Sequence, residues 1–324
     1  MAKNSRSIQE RIKSRIIKDW KKISYKIISI IAKKPLQIIY EKHNGRQLIH
    51  EITPKETLMI TETTDGVIFV SSSSDEIIGK SIFVTRESFD ADHIIKSFEI
   101  LGVKKIRTLL DVGANIGSIG LFALKNNYAE RCIAFEPEPL NFHLLQTNVM
   151  LNRVSDRFEL HNVALGAGEA GEVIFELSDD NHGDHRVRAT DDKGKDGEEL
   201  RKTIRVRSST LESIIRPDDL RDCLLFMDTQ GFEGHILEGS KSLINAGVPI
   251  VTEFWPYGLQ RAKGLEKFIR AVTNGPYTTV FDLCQPTTPT PISEANIRRI
   301  IERYSDPKKF TDLVIFWLLH GSCG

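Results

Sequence analysis

The chain has 324 residues, of which 40% are hydrophobic and 27% are charged, and its formal net charge is zero. These values exclude a disordered chain and are typical of one large α/β domain with appendages. The four cysteines form no CxxC pair and have no histidine at ligand spacing. Neither a disulfide framework nor a zinc site is therefore predicted, and a cytoplasmic protein is expected.

The charge is distributed unevenly along the chain. Residues 1–46 contain thirteen Lys and Arg but three Asp and Glu, so the rest of the chain is acidic. Between Ile8 and Ile31 apolar residues recur every three or four positions, which predicts a basic amphipathic helix that is too short in its uncharged stretches to span a membrane. We assign residues 1–50 to this arm. Its apolar stripe would pack on the chain's own body, on a second copy in a homo-oligomer, or on an anionic membrane surface.

A small antiparallel segment is predicted next. From Leu58 to about Phe89 apolar and polar residues alternate on both sides of Asp65-Gly66, a pair that favours a hairpin turn. A linking helix is predicted near Ala91–Leu101. We therefore assign residues 51–103 to a β-hairpin lead-in and residues 104–324 to the main domain.

Strand-like and helix-like segments alternate through the main domain. The predicted strands are RTLLDVG, RCIAFEP, RFELHNVAL, CLLFMDTQG, PIVTEFWP, YTTVFDL and TDLVIFWL. Helices are predicted between several of them, and this alternation indicates a parallel sheet with helices on both faces and a ligand at the carboxyl ends of its strands. The polar stretch Asp179–Lys202 is predicted to be a loop, either a lid or a disordered segment.

The turn LLDVGANIGSIG (Leu109–Gly120) indicates the ligand. Gly113 and Gly117 are separated by three residues, whereas a dinucleotide-binding turn separates its first two glycines by one. S-adenosylmethionine suits this turn better, because Asp111 would meet its ammonium group and the backbone N–H groups at the helix start would meet its carboxylate. Glu136, at the end of the second strand, would accept hydrogen bonds from the ribose hydroxyls.

Five blocks of sequence resemble one known family. DVGANIGSIGLFAL, AFEPEPLNFHLLQTNVMLN, NVALG, FMDTQGFEGHILEGS and TEFWP occur in the order and spacing of the FkbM-type methyltransferases. The resemblance is specific from Arg107 to Tyr257 and weaker to Leu318. It implies a class I methyltransferase fold, which is a Rossmann-like α/β fold with a seven-stranded, mostly parallel sheet whose last strand is antiparallel. It also implies methyl transfer from S-adenosylmethionine, usually to a hydroxyl of a sugar or natural product.

The resemblance also implies roles for single residues. Asp111, Gly113, Asn115 and Gly117 would line the methionine part of the donor, and Glu136 its ribose. The segment with Asn162 and Ala164 would border the adenine. The chain departs from the family in two blocks: the usual KIDVQGFE is FMDTQGFE here, without the lysine, and the usual LD is Leu211-Glu212.

An aliphatic hydroxyl acceptor needs a group that takes its proton. The candidates are Asp228 at the end of the fourth strand, Glu253 at the end of the fifth, and Glu233, with His235 a weaker one. Each has a structural alternative, because Asp228 could cap the next helix and Glu233 could favour its first turn. These three acids could also hold a divalent cation, although no metal is the favoured prediction.

Four further residues are candidates for binding the acceptor. His182 and His185 lie in the polar stretch, where they would close over the acceptor or be solvated. Trp255 and Tyr257 offer aromatic surfaces for a sugar, with core packing as the alternative.

Other functions are disfavoured. A nucleic-acid methyltransferase would need a basic track, but the body of the chain is acidic, and the glycine spacing disfavours a dehydrogenase. The alternative from another class is a non-catalytic scaffold that the basic arm recruits to a membrane or partner. We expect an S-adenosylmethionine-dependent O-methyltransferase that acts on a glycan or glycosylated metabolite, with no nucleic acid as partner.

Overall fold

The computed structural model of the chain describes residues 43–285 and 288–317. The chain divides into two compact units, residues 1–53 and residues 54–324. Of the first unit, the described part is helix α1 (His43–Ile52) with the residue that follows it. The amphipathic helix predicted between Ile8 and Ile31 lies outside the described residues. None of the described helices is long and apolar enough to cross a membrane.

The second unit begins with a two-stranded antiparallel sheet. Strands β1 (Leu58–Glu62) and β2 (Ile68–Ser72) pair on either side of Asp65-Gly66. Gly66 has a φ of +77°, a conformation that glycine adopts without the clash of a Cβ atom.

Helices α2 (Ile78–Thr85) and α3 (Ala91–Leu101) follow the hairpin. The antiparallel segment predicted to run to about Phe89 therefore ends earlier than expected. The carboxylate of Asp75 explains the difference, since it accepts hydrogen bonds from the N–H groups of Ile77, Ile78 and Gly79. These donors would otherwise be unpaired at the start of α2.

The large sheet contains the predicted strands. In chain order its elements are β3 (Ile106–Val112), α4 (Ser118–Lys125), β4 (Ala129–Phe135), α5 (Pro139–Leu151), β5 (Phe158–His161), β10 (Cys223–Met227), α7 (Glu233–Glu238), α8 (Lys241–Asn245), β11 (Ile250–Phe254), α9 (Pro256–Arg261), α10 (Leu265–Asn274), β12 (Thr279–Asp282), β13 (Thr290–Pro291), α11 (Glu294–Arg303) and β14 (Thr311–Phe316). The helices lie between successive strands, as a mostly parallel sheet requires.

The strand order is β13-β12-β14-β11-β10-β3-β4-β5. Strand β14 is antiparallel to both of its neighbours, whereas β3 pairs parallel with β4 and β10. The two-residue strand β13 adds an edge to the seven strands expected. The predicted Rossmann-like α/β class with an antiparallel last strand is confirmed.

A second sheet interrupts the large one between β5 and β10. It contains β6 (Ala164–Leu165), β7 (Gly171–Glu176), β8 (Arg186–Val187) and β9 (Thr203–Ser209), in the order β6-β9-β7-β8, and is followed by helix α6 (Leu211–Ile214). The segment RFELHNVAL, predicted as one strand, is thus divided between the two sheets. The amide of Asn162 donates to the carbonyls of Glu136 and Pro137, which places the break just after β5.

The core lies on both faces of the large sheet. Successive residues of β3 point to opposite faces, so Leu109 packs in one cluster with Leu121 and Leu145. Leu110 packs in the other cluster with Leu225. All of these side chains are fully buried, and the two clusters hold the carboxyl ends of the strands in register.

Asn148 of α5 and Asn152, which caps the end of α5, attach the hairpin to the main domain. Asn148 accepts from the N–H of Val70 and donates to its carbonyl, and Asn152 does the same for Ile68. Asn148 also donates to the carbonyl of Ile116 in the glycine turn. The amides therefore pair with β2 as a neighbouring strand would.

Candidate active site

Two adjoining clefts lie at the carboxyl ends of the strands. The first cleft has an empty volume of about 850 Å³ and is bordered by the glycine turn after β3, the end of β4 and the second sheet. The second cleft, of about 970 Å³, is bordered by the ends of β10 and β11 and by residues before β14. Both are lined by Ile78, Phe89, Asp90, Gly183 and Asp228, so the two clefts share a wall.

The glycine turn brings the backbone close to the end of β10. Gly113 has a φ of +85°, and a Cβ atom there would lie 1.8 Å from the carbonyl oxygen of Asp228. A side chain at this position is therefore excluded by contact and by conformation. Gly117 has a φ of +91°, and its Cβ would lie 2.6 Å from a methyl carbon of Leu145. Gly113 and Asn115 line the first cleft as predicted, whereas Gly117 does not line it.

Asp111 lies at the end of β3 and lines the first cleft. It is almost fully buried, and its Oδ2 accepts a hydrogen bond of 3.1 Å from the N–H of Gly120. Burial raises the pKa of this carboxyl to about 7, because the charged form loses hydration. A positively charged ligand in the cleft would favour the ionised form.

Glu136 follows β4 and connects the second strand with the glycine turn. Its Oε2 accepts from the N–H of Asn115 at 2.8 Å, and its Oε1 accepts from the N–H of Glu138 at 2.7 Å. Burial raises its pKa to about 8. Each carboxylate oxygen can accept a second hydrogen bond, so a diol in the cleft would find acceptors here.

The far side of the first cleft is apolar. Val163, Ala164, Leu165, Phe135 and Phe232 form this wall. Of the two residues predicted to border an adenine, Ala164 lines the cleft. The side-chain amide of Asn162 instead donates to the carbonyls of Glu136 and Pro137. An aromatic base would find van der Waals contacts on this wall.

The segment with the two predicted histidines covers the first cleft. The carbonyl of His182 accepts hydrogen bonds from the amides of Asn115 and Asn141, at 2.9 and 3.1 Å. His185 accepts from the N–H of Ser178 through Nδ1, and its ring stacks on that of His182. Burial lowers the pKa of His185 to about 3, so this imidazole is neutral near pH 7.

Ion pairs hold this segment in place. Arg186 lies 2.6 Å from Glu176 and 2.7 Å from Glu198, and all three side chains are buried. Arg201 pairs with Asp184, and Arg261 with Glu198 at 3.0 Å. The stretch Asp179–Lys202, predicted as a lid or a disordered loop, therefore contains β8, a 3₁₀ helix at Lys195–Leu200 and a buried ion-pair network.

Three carboxyl groups meet behind the shared wall. Asp228 follows β10 and lines both clefts, whereas Glu253 of β11 lines the second. Glu233, at the start of α7, is fully buried and lines neither. One oxygen from each of the three lies within 4.8 Å of the others. Burial raises the pKa of Asp228. Burial also raises the pKa of Glu253, and the nearby carboxyl groups of Asp228 and Glu233 raise it further.

The loop between β10 and α7 explains the position of Glu233. Its Oε1 accepts from the N–H and hydroxyl of Thr229, both at 2.9 Å, and from the N–H of Gly231 at 3.2 Å. This is the N-terminal role that the sequence left open for Glu233. His235 stacks on Phe232 and contacts the carbonyl of Ala262, and it lines neither cleft.

The two predicted aromatic residues take different positions. Trp255 lines the second cleft and donates from its indole N–H to the carbonyl of Pro307. Tyr257 lines neither cleft; its hydroxyl donates to Glu198 and accepts from the N–H of Lys195. Tyr257 thus supports the ion-pair network.

The family match decides the assignment. The methyltransferase FkbM domain matches residues 111–273, which is half of the chain and includes both the glycine turn and the three carboxyl groups. The chain belongs to the FkbM methyltransferase family. This membership confirms the resemblance noted in the sequence.

The solved structures that match the chain include two methyltransferases and TYW2. The methyltransferase FkbM of Methylobacillus flagellatus is 16% identical, with a TM-score of 0.37, and the match covers 66% of this chain and 44% of that one. Thus the chain spans less than half of that relative's length. TYW2 of Pyrococcus horikoshii in complex with MeSAdo is 15% identical, with a TM-score of 0.38 and coverage of 85% and 83%. The tRNA methyltransferase TrmK of Bacillus subtilis is 12% identical, with a TM-score of 0.37 and coverage of 71% and 66%. No curated protein matches the chain.

The FkbM-type chain also has cleft residues that the sequence did not single out. Asp312 of β14 lines the second cleft opposite Glu253, and His93 lies 3.4 Å from its carboxylate. Asp90 lines both clefts. These residues come from the linking helix and the last strand, outside the matching blocks, so no local motif marked them.

Proposed function

We propose that the chain transfers a methyl group from S-adenosylmethionine in the first cleft to a hydroxyl of a sugar or glycosylated metabolite in the second. The observation that carries this proposal is the shared wall of the two clefts at Asp228. Methyl transfer is an in-line displacement, so donor and acceptor must approach from opposite sides of one point. The junction of the clefts offers such a point.

The first cleft supplies the groups that the donor requires. Asp111 is suited to the ammonium group of S-adenosylmethionine, Glu136 to its ribose diol and the Val163–Leu165 wall to its adenine. At Gly113 a side chain would clash with the backbone of Asp228, so only glycine lets the turn approach β10 here. The donor supplies the activated methyl group, and the protein orients it.

The second cleft is suited to an acceptor with several hydroxyl groups. Trp255, Phe89 and Phe310 offer apolar and aromatic surfaces, and Asp90, Asp228, Glu253 and Asp312 offer carboxyl oxygens. Aromatic faces and carboxyl hydrogen bonds are a combination that binds sugars. Where these carboxyl groups are ionised they would repel phosphate, which disfavours a nucleic acid as the acceptor.

Asp228 is the residue that we place against the reacting hydroxyl. The acceptor oxygen forms a bond to the methyl carbon as the carbon–sulfur bond breaks, and the hydroxyl proton passes to the carboxylate. Glu253 lies beside Asp228 and helps to orient it. Such proton transfer contributes on the order of a hundredfold or more to the rate of comparable reactions.

Calorimetric titration tests the donor site. We expect S-adenosylmethionine to bind the full-length protein and NAD not to bind, and we expect Asp111→Ala and Glu136→Ala to weaken donor binding at least tenfold. Well-folded protein that fails to bind S-adenosylmethionine would refute the proposal and favour the scaffold alternative.

A methyl-transfer assay with a panel of sugars and glycosides then tests the acceptor site. Asp228→Asn should bind the donor as the wild type does and lose at least about a hundredfold in kcat. Trp255→Ala should raise KM for the acceptor with less effect on donor affinity. Methylation of tRNA but of no sugar would show that the acceptor class is wrong.

A further inference from the structure

We propose that Asp228, Glu233 and Glu253 form a binding site for a hard divalent cation, Mg²⁺ or Mn²⁺. One carboxylate oxygen from each residue lies within 4.8 Å of the other two. The three residues come from the end of β10, the start of α7 and β11, so the site depends on the sheet rather than on one flexible loop.

The spacing of the oxygens suits such an ion. Around a six-coordinate Mg²⁺, at about 2.1 Å from each ligand, two oxygens lie about 3 Å apart when adjacent and about 4.2 Å apart when opposite. The three oxygens lie within 4.8 Å of one another, so rotations of the carboxyl groups would bring them to such spacings. Carboxylate oxygens are the ligands that Mg²⁺ and Mn²⁺ prefer, whereas zinc and copper favour imidazole and thiolate.

Unpaired oxygens are the second, independent observation. Glu233 and Glu253 are 0% and 7% exposed, and Oε2 of each is buried without a hydrogen-bond partner among the described residues. Glu233 uses Oε1 for three hydrogen bonds to its own loop. A buried carboxylate oxygen without a donor is costly, and a bound cation removes this cost at both positions.

The charges around the cluster lead to the same conclusion. Among the described residues outside the cluster, the polar side chains that bond to the three carboxyl groups are the amide of Gln230 and the hydroxyl of Thr229. Neither carries a positive charge. Within the cluster, Asp228 and Glu253 are close enough to hydrogen-bond to each other. Three carboxylates so close together require a positive charge if all are to be ionised, and a divalent ion provides it.

The role of the ion, though not its binding, rests on the proposed function. Asp228 and Glu253 line the second cleft, and Glu233 lies behind them. An ion held there would have open positions toward the acceptor. A coordinated hydroxyl is more acidic than a free one, so the ion would orient the acceptor and assist the loss of its proton.

The test uses the full-length protein, treated with a chelator and then titrated with Mn²⁺ alone, without donor or acceptor. Electron paramagnetic resonance of free Mn²⁺ should show one saturable site per chain, and Mg²⁺ should compete for it. Glu253→Gln and Glu233→Gln should each weaken Mn²⁺ binding at least tenfold. Glu233→Gln keeps an amide oxygen for the three loop hydrogen bonds, so the fold should persist.

Asp312→Asn is the matched control, since it removes a carboxylate opposite Glu253 that lies outside the cluster. It should change Mn²⁺ affinity less than about threefold. Calorimetry with S-adenosylmethionine on the same samples separates the two proposals. Donor binding without a saturable Mn²⁺ site, or Mn²⁺ binding unchanged in Glu233→Gln and Glu253→Gln, overturns the cation site and leaves the proposed function intact.

Discussion

Asp111 and Glu136 are buried acids, and none of the described residues that line the first cleft is a lysine or an arginine. Burial raises their pKa values to about 7 and about 8, and both lie on the first cleft wall. Their backbone hydrogen bonds from Gly120, Asn115 and Glu138 keep them oriented without a ligand. The protein therefore holds these acids ready for a ligand that favours their ionised forms.

Donor affinity should consequently depend on pH. Below pH 7 Asp111 must lose a proton before it can pair with the ammonium group of the donor, whereas above pH 7 it is already ionised. We expect the affinity for S-adenosylmethionine to be at least about fivefold lower at pH 6.0 than at pH 7.5. Calorimetry at both values measures it, and buffers with different ionisation enthalpies report the proton released.

Asp111→Asn is the control for this pH effect. The amide has the same shape and no titration in this range, so the variant should bind weakly with a much smaller pH dependence. Equal pH dependence in wild type and variant would assign the effect to another group.

At the scale of elements, polar side chains decide how the second sheet and the hairpin attach to the main domain. The network around Arg186 contains three buried acid or base side chains from β7, β8 and the 3₁₀ helix. The amides of Asn148 and Asn152 pair with β2. The first arrangement holds the segment whose His182 and His185 line the first cleft, and Asn148 also donates to the carbonyl of Ile116 in the glycine turn.

Arg186→Met should destabilise the protein by about 3 kcal/mol or more, because Glu176 and Glu198 would lose their buried partner. Urea unfolding measures this loss. Limited proteolysis should show new cleavage between residues 178 and 201. Arg205→Met removes an exposed arginine that lies 3.6 Å from Glu172 and should cost less than about 1 kcal/mol; similar losses in both variants would contradict the structural role of Arg186.

Asn148→Ala should cost about 2–4 kcal/mol, since it leaves the N–H of Val70 and two buried carbonyls without partners. Thermal or urea unfolding measures the change. Asn126→Ala is the comparison, because Asn126 is an exposed residue whose amide makes a single bond, to the carbonyl of Phe122. Asn148→Ala with wild-type stability would show that the hairpin is held by apolar packing alone.

For the whole molecule, pH and donor should act on stability in opposite directions. Acids whose pKa is raised in the folded state stabilise it below the unfolded pKa of about 4 and lose this contribution as pH rises through the folded pKa. For Asp111 and Glu136 the loss extends to about pH 7 to 8. The ligand-free protein should therefore contain a destabilised donor site at neutral pH.

S-adenosylmethionine should raise the melting temperature more at pH 7.5 than at pH 6.0. At a donor concentration of about one hundred times Kd, binding contributes about 2.7 kcal/mol. Differential scanning fluorimetry with NAD as the negative control measures the shift. A larger shift at pH 6.0 would mean that the buried acids bind the donor in their protonated forms.

The resemblance to the FkbM family implied the antiparallel last strand. The sequence patterns alone were sufficient for the α/β class and for the elements that carry Asp111, Glu136, Asp228 and Glu253. These features depend on short-range patterns: an apolar strand, an acid and a glycine turn follow each other within about ten residues. Helix Ala91–Leu101 was predicted with the limits that the structure shows. Helix α2 was missed, because its initiation depends on the cap from Asp75.

The tertiary structure alone decided which of these residues share a cleft. The wall common to the two clefts joins Asp228 with Phe89 and Asp90, which lie about 140 residues earlier in the chain. The tertiary structure also places Tyr257 in the ion-pair network and pairs Arg186 with Glu176 and Glu198. Such contacts leave no local pattern, because the strand order and the second sheet bring together side chains that are distant in sequence.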